Sequence, residues 1–254
     1  MEVTPLQFAM ALAAAFLVGF TKTGMPGLGV LLVPLMASAV GSTAAVGVLL
    51  PVLLCGDIFA VARYHMHVGW RLVLRLLPYV IIGVVLGSTV LRQLRSETMG
   101  LVMGGMVLWL VGVQVAQKSH GGWLEEKMPD AWWFSIVMGL LAGFATGLSH
   151  LGGPVMTVYF LSMGLKKHGF IGSAAVFFMI VNLSKIPIYI PQGNITLPQM
   201  AFAVKVIAAV PVGAVAGYLL FNYIPQKLFD RVVLVLAAAA GLRLIWPHVT
   251  ALFG

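Results

Sequence analysis

Residues Thr23 to Gly56 contain no Asp, Glu, Lys or Arg, and neither do Ala131 to Leu165. Uncharged apolar stretches of that length mark membrane helices, since about 20 such residues cover the hydrocarbon core. The whole chain follows suit: its 254 residues are 61% hydrophobic and 9% charged, against about 25% charged in a soluble domain. These features predict an all-α, polytopic membrane helical bundle.

Other classes fall away on the same grounds. The longest polar gap, roughly 117–130, is too short for a soluble domain. The start, Met1-Glu2-Val3-Thr4-Pro5, lacks the basic region of a signal peptide, so the first apolar run is expected to be retained. A lone cysteine, Cys55, excludes a disulfide framework or a thiolate metal cluster and reads as a small buried hydrophobe. The net charge of +8 is dispersed over short loops between apolar runs. That is the pattern that orients membrane proteins, not a nucleic-acid surface.

The apolar runs fall at 5–21, 28–40, 44–62, 72–91 and 99–116, then at 132–147, 153–164, 169–187, 200–221 and 228–246. They divide five and five, which predicts repeats over 1–116 and 132–254 joined by a loop at 117–131. In each half the first pair of runs is short and is split by a polar, glycine-rich break. The first break is Gly19-Phe20-Thr21-Lys22-Thr23-Gly24-Met25-Pro26-Gly27-Leu28-Gly29. The second is Gly143-Phe144-Ala145-Thr146-Gly147-Leu148-Ser149-His150-Leu151-Gly152-Gly153-Pro154. Each pair is either two thin spans or a hairpin that dips into the bilayer and returns. Irregular backbone at that depth is tolerated only where protein or a watery cavity surrounds it, so the breaks are the place to look for function.

Gly19-Phe20 and Gly29 match Gly143-Phe144 and Gly153, Asp57 and Tyr64 match Asn182 and Tyr189, and Gly83/Gly87 match Gly213/Gly217. Charge sets the relative orientation. The connection holding Arg63, Arg71 and Arg75 has an uncharged counterpart at 190–199, while uncharged 38–43 has a counterpart containing Lys166 and Lys167. By the positive-inside rule, corresponding loops lie on opposite sides, so the halves are expected to be inverted-topology repeats with interrupted first helices. Placing Arg63 to Arg75 inside puts both termini outside, with Arg92, Arg95 and Arg243 as external exceptions.

Several residues in or near the breaks carry chemistry. Lys22 is either a flanking lysine that snorkels to the headgroups or the charge of an anion site. Thr23 can cap a following helix and Pro26 suits a first turn, and exposed N–H groups at a helix start favour anions. Gly24, Gly27, Gly29, Gly152 and Gly153 permit backbone to approach a ligand. Ser149 and His150 provide a second anion contact, with His150 alternatively a core histidine or a protonatable group. Asp57 lies deep in an uncharged run; it either pairs with Lys22 or Lys185 or takes part in ion or proton coupling. Asn182 and Lys185 share one helical face. Lys205, His65 and His67 read as flanking or solvated positions.

At these residues the sequence resembles the TauE/SafE family, also called the toluene-sulfonate uptake permease family. The resemblance rests on the two breaks, on Gly172-Ser173-Ala174-Ala175-Val176-Phe177-Phe178, and on Asn182 through Lys185-Ile186-Pro187. It implies transport of small anions, particularly sulfite, sulfonates and other small organic acids. The expectation is a secondary transporter of sulfite or organosulfonates in the bacterial inner membrane, with the anion bound between the breaks in alternating access. The expected partners are that anion and the lipid bilayer, with Asp57 and His150 as coupling groups, no nucleic acid, and no cofactor, metal or enzymatic role. No phosphate-binding G-x-x-x-x-G-K-[ST] motif is present for ATP drive. The rival functions are a passive anion channel and a membrane haem subunit, the latter short of histidines because only His150 lies in a strongly apolar run.

Overall fold

The computed structural model describes residues 3–24, 26–93, 132–165 and 167–221 continuously, with isolated positions between 101 and 116 and between 223 and 246. The expected runs 99–116 and 228–246 and the loop 117–131 thus lie wholly or largely outside the described residues, as do Arg95, Lys166 and Arg243. The helices are α1 (Pro5–Thr23), α2 (Leu32–Val40), α3 (Ser42–Tyr64), α4 (Trp70–Gln93), α5 (Trp132–Ser149), α6 (Gly152–Ser162), α7 (Lys167–Tyr189), α8 (Leu197–Val206) and α9 (Ala209–Phe221). Short 3₁₀ helices cover Pro26–Leu31 and His65–His67. Among the described residues there is no strand.

Five helical stretches, Pro5–Thr23, Ser42–His67, Trp70–Val90, Trp132–Ser149 and His168–Tyr189, are long and apolar enough to cross a membrane. The α8–α9 pair, bent by 49°, makes a sixth if it acts as one span. The chain is an all-α integral membrane protein. By contrast α2 has 9 residues and α6 has 11. At about 1.5 Å per residue neither covers a hydrocarbon core of about 30 Å.

Both short helices come after a break that turns the chain. Thr4 caps the start of α1 with a reciprocal box to Gln7, with Pro5 at its first position, and α1 ends at Gly24. At the second break His150 is the one non-glycine residue with positive φ among those described, at 58°. That left-handed residue reverses the chain so far that a Cβ on Gly152 would meet Ala142 O and the Thr146 side chain, on the helix just completed. The α6 helix thus folds back on α5, α2 packs on α1, and the 3₁₀ segment of the first break packs on α6. The two breaks meet.

Glycines hold these hairpins against the opposite half. A Cβ on Gly19 would strike Val210 O, and one on Gly213 would strike Phe16 O; Gly24 and Gly217 are in the same relation across α1 and α9. In the other crossing, a Cβ on Gly143 would strike Val80 O and one on Gly83 would strike Leu140 O, with Gly147 and Gly87 repeating the pattern across α5 and α4. Backbones that meet this closely leave room for no side chain. The matched glycines of the sequence therefore make two matched crossings, each joining the first helix of one half to a late helix of the other.

The loops collect at two ends. At one, Gly69 N donates to Ser173 Oγ at 2.9 Å, bringing the Arg63–Arg75 connection against the start of α7. At the other, Gln192 Nε2 donates to Ser88 Oγ at 3.1 Å, and Asn194 O lies against Gly47. The uncharged 190–199 connection is thus at the end away from Arg63, His65 and His67.

Valine at Gly143 or Gly19 should destabilise the protein by at least the roughly 1–3 kcal/mol typical of overpacking, read as a lower melting temperature of the purified protein in detergent. Alanine at Gly153, where a Cβ meets nothing, should leave it unchanged.

Candidate functional site

Where the breaks meet, a cavity of about 70 Å³ opens, room for several waters or one small oxyanion by the usual measure of about 10–15 Å³ per water. Its polar wall is Thr21, Lys22, Thr146, His150, Thr157 and Asn182. Much of the remainder is apolar, including Leu32, Met156, Phe160, Phe170, Ile171 and Phe178. Gly29 and Gly153, matched positions of the two breaks, also line it, and neither would have anything within reach of an added Cβ. These two glycines leave space for a ligand.

A network of buried charges stands in and behind that wall. Lys22 Nζ lies 2.6 Å from Asp57 Oδ1 in an ion pair. The Lys22 side chain is 13% exposed and Asp57 is fully buried. The ammonium also lies 4.5 Å from the centre of the Phe178 ring, which presents its negative face to it. Asn182 Nδ2 donates to Asp57 Oδ2 at 2.7 Å. Asn182 Oδ1 in turn accepts from Lys185 Nζ at 3.1 Å. Lys185 is fully buried, and its two further acceptors are Thr146 Oγ1 at 2.8 Å and His150 Nδ1 at 2.9 Å. Three polar groups thus surround the buried amine.

The histidine's tautomer follows from its neighbours. Nε2 of His150 lies 2.9 Å from Val46 O, a group that can only accept, so Nε2 carries the proton and Nδ1 accepts from Lys185. The imidazole is neutral. With both nitrogens engaged it offers no lone pair to a haem iron, and among the described residues no cluster of metal-ligating side chains exists.

The buried tyrosines brace this arrangement. Tyr64 Oη donates to Thr23 O at 2.9 Å, fixing the end of α3 to the end of α1. Its matched residue Tyr189 donates to Gly147 O at 2.6 Å, fixing α7 to α5 in the same way.

A family model described as Sulfite exporter TauE/SafE matches residues 11–244. The chain belongs to that family. It is a family of membrane transporters, so the resemblance read from the two breaks is borne out over nearly the whole chain. No curated protein and no solved structure matches the chain.

The structure gathers Lys22, Gly29, His150, Gly153 and Asn182 around the cavity, with Asp57 and Lys185 immediately behind. Other expected positions go elsewhere. Thr23 is the last residue of α1, and its hydroxyl donates to Gly19 O and Ala214 O at 3.1 and 2.7 Å; it tethers α1 to α9 and caps no following helix. The backbone from Pro26 to Leu31 is 3₁₀, so no α-helix begins at Pro26. Gly24 and Gly152 are packing contacts, because carbonyls or side chains already fill the space beside them. Gly27 lies in the 3₁₀ segment. Ser149 is fully buried but does not line the cavity, and its Oγ has no hydrogen-bond partner in the structure. Lys205, His65 and His67 are exposed, as expected of flanking positions, and Cys55 is half-buried in α3.

Thr146, Thr21, Thr157 and Phe178 were not anticipated. Thr146 was accessible from the repeat alone: it occupies the position matched to Lys22, a place that faces the other break in both halves.

Phenylalanine at Tyr64 or Tyr189 should each cost about 1 kcal/mol of stability, the net value of one hydrogen bond, plus the desolvation of the carbonyl left behind. Thermal melts should show both variants below wild type.

Proposed function

We propose that this chain is a secondary transporter of small anions, of the kind represented by sulfite and organosulfonates, working by alternating access. The observation that carries the reading is Lys22, a cation held between Asp57 and a cavity at the meeting of the two breaks. Part of the ammonium faces the cavity, where a bound anion can share it. Lys22 makes the direct ionic contact. Asn182, Thr146, Thr21 and Thr157 supply polar contacts, and open backbone at Gly29 and Gly153 admits the ligand. His150 lines the same wall.

The arrangement of the two halves supports the transport cycle. Residues 1–116 and 132–254 act as repeats of opposite orientation, α1–α2 and α5–α6 forming re-entrant hairpins whose tips enclose the site. Asp57 and Asn182, matched positions, touch each other, as residues beside a common pseudo-two-fold axis do. Rocking of one hairpin–helix pair about that axis opens the cavity to alternate sides. The basic connection Arg63–Arg75 faces the cytoplasm of a bacterial inner membrane, with both termini outside. Asp57 and His150, each bonded to a lysine, are the groups assigned to proton coupling.

Reconstituted in liposomes, the wild-type protein should show saturable exchange of labelled sulfite or methanesulfonate. Lys22→Gln, if its melting curve shows it folded, should lose about 10- to 100-fold in uptake, the value of a charge-assisted contact. Unaltered kinetics in that variant would sink the assignment, and non-saturating flux in the wild type would indicate a channel.

A further inference from the structure

The cavity lies to one side of the two breaks. Its wall follows α6 from Gly153 past Met156 and Thr157 to Phe160, and α7 from Asn182 past Ala175 and Ala174 to Ile171. Next to Ile171, a Cβ on Gly172 would meet Tyr64 O, and Ser173 Oγ accepts from Gly69 N. The cavity therefore extends toward the Arg63–Arg75 end. The match that pairs Gly29 with Gly153 and Asp57 with Asn182 gives Met156, Thr157 and Phe160 counterparts in Leu32, Val33 and Met36 of α2. It gives Ile171, Ala174 and Ala175 counterparts in Val46, Leu49 and Leu50 of α3. Of these six counterparts Leu32 alone lines the cavity, and the other five are 2% exposed or less. Among the described residues α2 packs along α3, whereas α6 scarcely touches α7. Leu49 and Leu50 fill the one seam where Ala174 and Ala175 leave room in the other.

Resting on the reading of the halves as inverted repeats of a transporter, we propose that the closed α2–α3 seam is the second ligand passage, and that His150 is the positioning residue that latches it. The seam is lined by Val33, Met36, Val46, Leu49 and Leu50. It leads to the end away from Arg63, where Asn194 O lies against Gly47. His150 stands in the cavity wall and reaches across to α3, its Nε2 2.9 Å from Val46 O. Val46 is the counterpart of Ile171, whereas Pro26, the counterpart of His150, carries no side-chain donor. Only one of the two seams therefore has this polar latch. A hinge stands beside it. Pro51, inside α3, has no N–H to give Gly47 O, so the segment carrying Val46, Leu49 and Leu50 is free to bend there. When the imidazole leaves Val46 O, this segment parts from α2 and the α6–α7 seam closes. A ligand beside Lys22 then faces the other end.

The test reads single cysteines in the purified full chain, in a Cys55→Ser background, by their reaction with the small anionic reagent 2-sulfonatoethyl methanethiosulfonate. Val33→Cys and Thr157→Cys report on counterpart positions of the two seams and change side-chain volume little. Thr157→Cys should react at least about tenfold faster, the opposite state being a minor one. His150→Asn keeps a residue that tolerates positive φ but is too short to reach Val46 O. It should speed Val33→Cys about fivefold, the population shift that one lost hydrogen bond gives, and slow Thr157→Cys. General loosening of the structure would speed both. Equal rates at the two positions with His150 present, or a folded His150→Asn protein that speeds both or alters neither, overturns the proposal. If His150→Asn is not folded, the reporters in liposomes decide. Exchange of methanesulfonate should there speed Val33→Cys from the side away from Arg63, and no acceleration overturns the proposal. The measurement in detergent needs no transported anion. A wild type without exchange flux therefore overturns the anion reading separately, and leaves the opposed cysteine rates to be judged on their own.

Discussion

Lys185 has no access to solvent, so its amine must find its partners inside the protein, and the way it finds them organises the centre of the molecule. Thr146 comes from α5, His150 from the break after it, and Asn182 from one turn back on α7. Two of these acceptors are fixed in turn by other groups: Asn182 by Asp57, His150 by Val46 O on α3. A buried polar group left without a partner costs its desolvation, about 1–3 kcal/mol. The helices are thereby held in one mutual register, and the left-handed backbone at His150 is part of the same requirement, since it brings the ring between the Val46 carbonyl and the Lys185 amine. Local strain of this kind persists when surrounding bonds over-determine it.

Against that fixed side, the first break is simpler. Lys22 has one carboxylate and one aromatic face as partners, and part of it reaches the cavity. The two lysines thus differ in setting. One is locked into the frame; the other reaches the cavity. Matched positions of the halves differ in the way this requires: lysine in the first break faces threonine in the second, and aspartate in α3 faces asparagine in α7.

Much of this was legible in the sequence. Charge-free runs announced the membrane, the polar breaks announced the candidate site, and isolated polar residues in apolar surroundings needed partners, so Lys22, Asp57, Asn182, Lys185 and His150 were identifiable one by one. Which of them pair was not, because pairing depends on how hairpins cross. The glycines show the limit clearly. Gly24 and Gly29 stand in one motif with the same chemistry, yet one is covered by a helix from the far end of the chain and the other opens on a cavity. Threonine hides its role for a related reason: Thr23 and Thr146 are both threonines of a break, but one hydroxyl is spent on carbonyls while the other meets the Lys185 amine.

The exchange of partners between halves bears on how such a chain assembles. The first helix to enter the bilayer, α1, presents Gly19 and Gly24 on a surface whose mate, α9, is among the last made. Through nearly the whole of synthesis that helix stands beside lipid with its closest-packing face unfilled. Only when Gly213 and Gly217 arrive do the backbones close. The packing of the first helix is therefore completed by nearly the last one made.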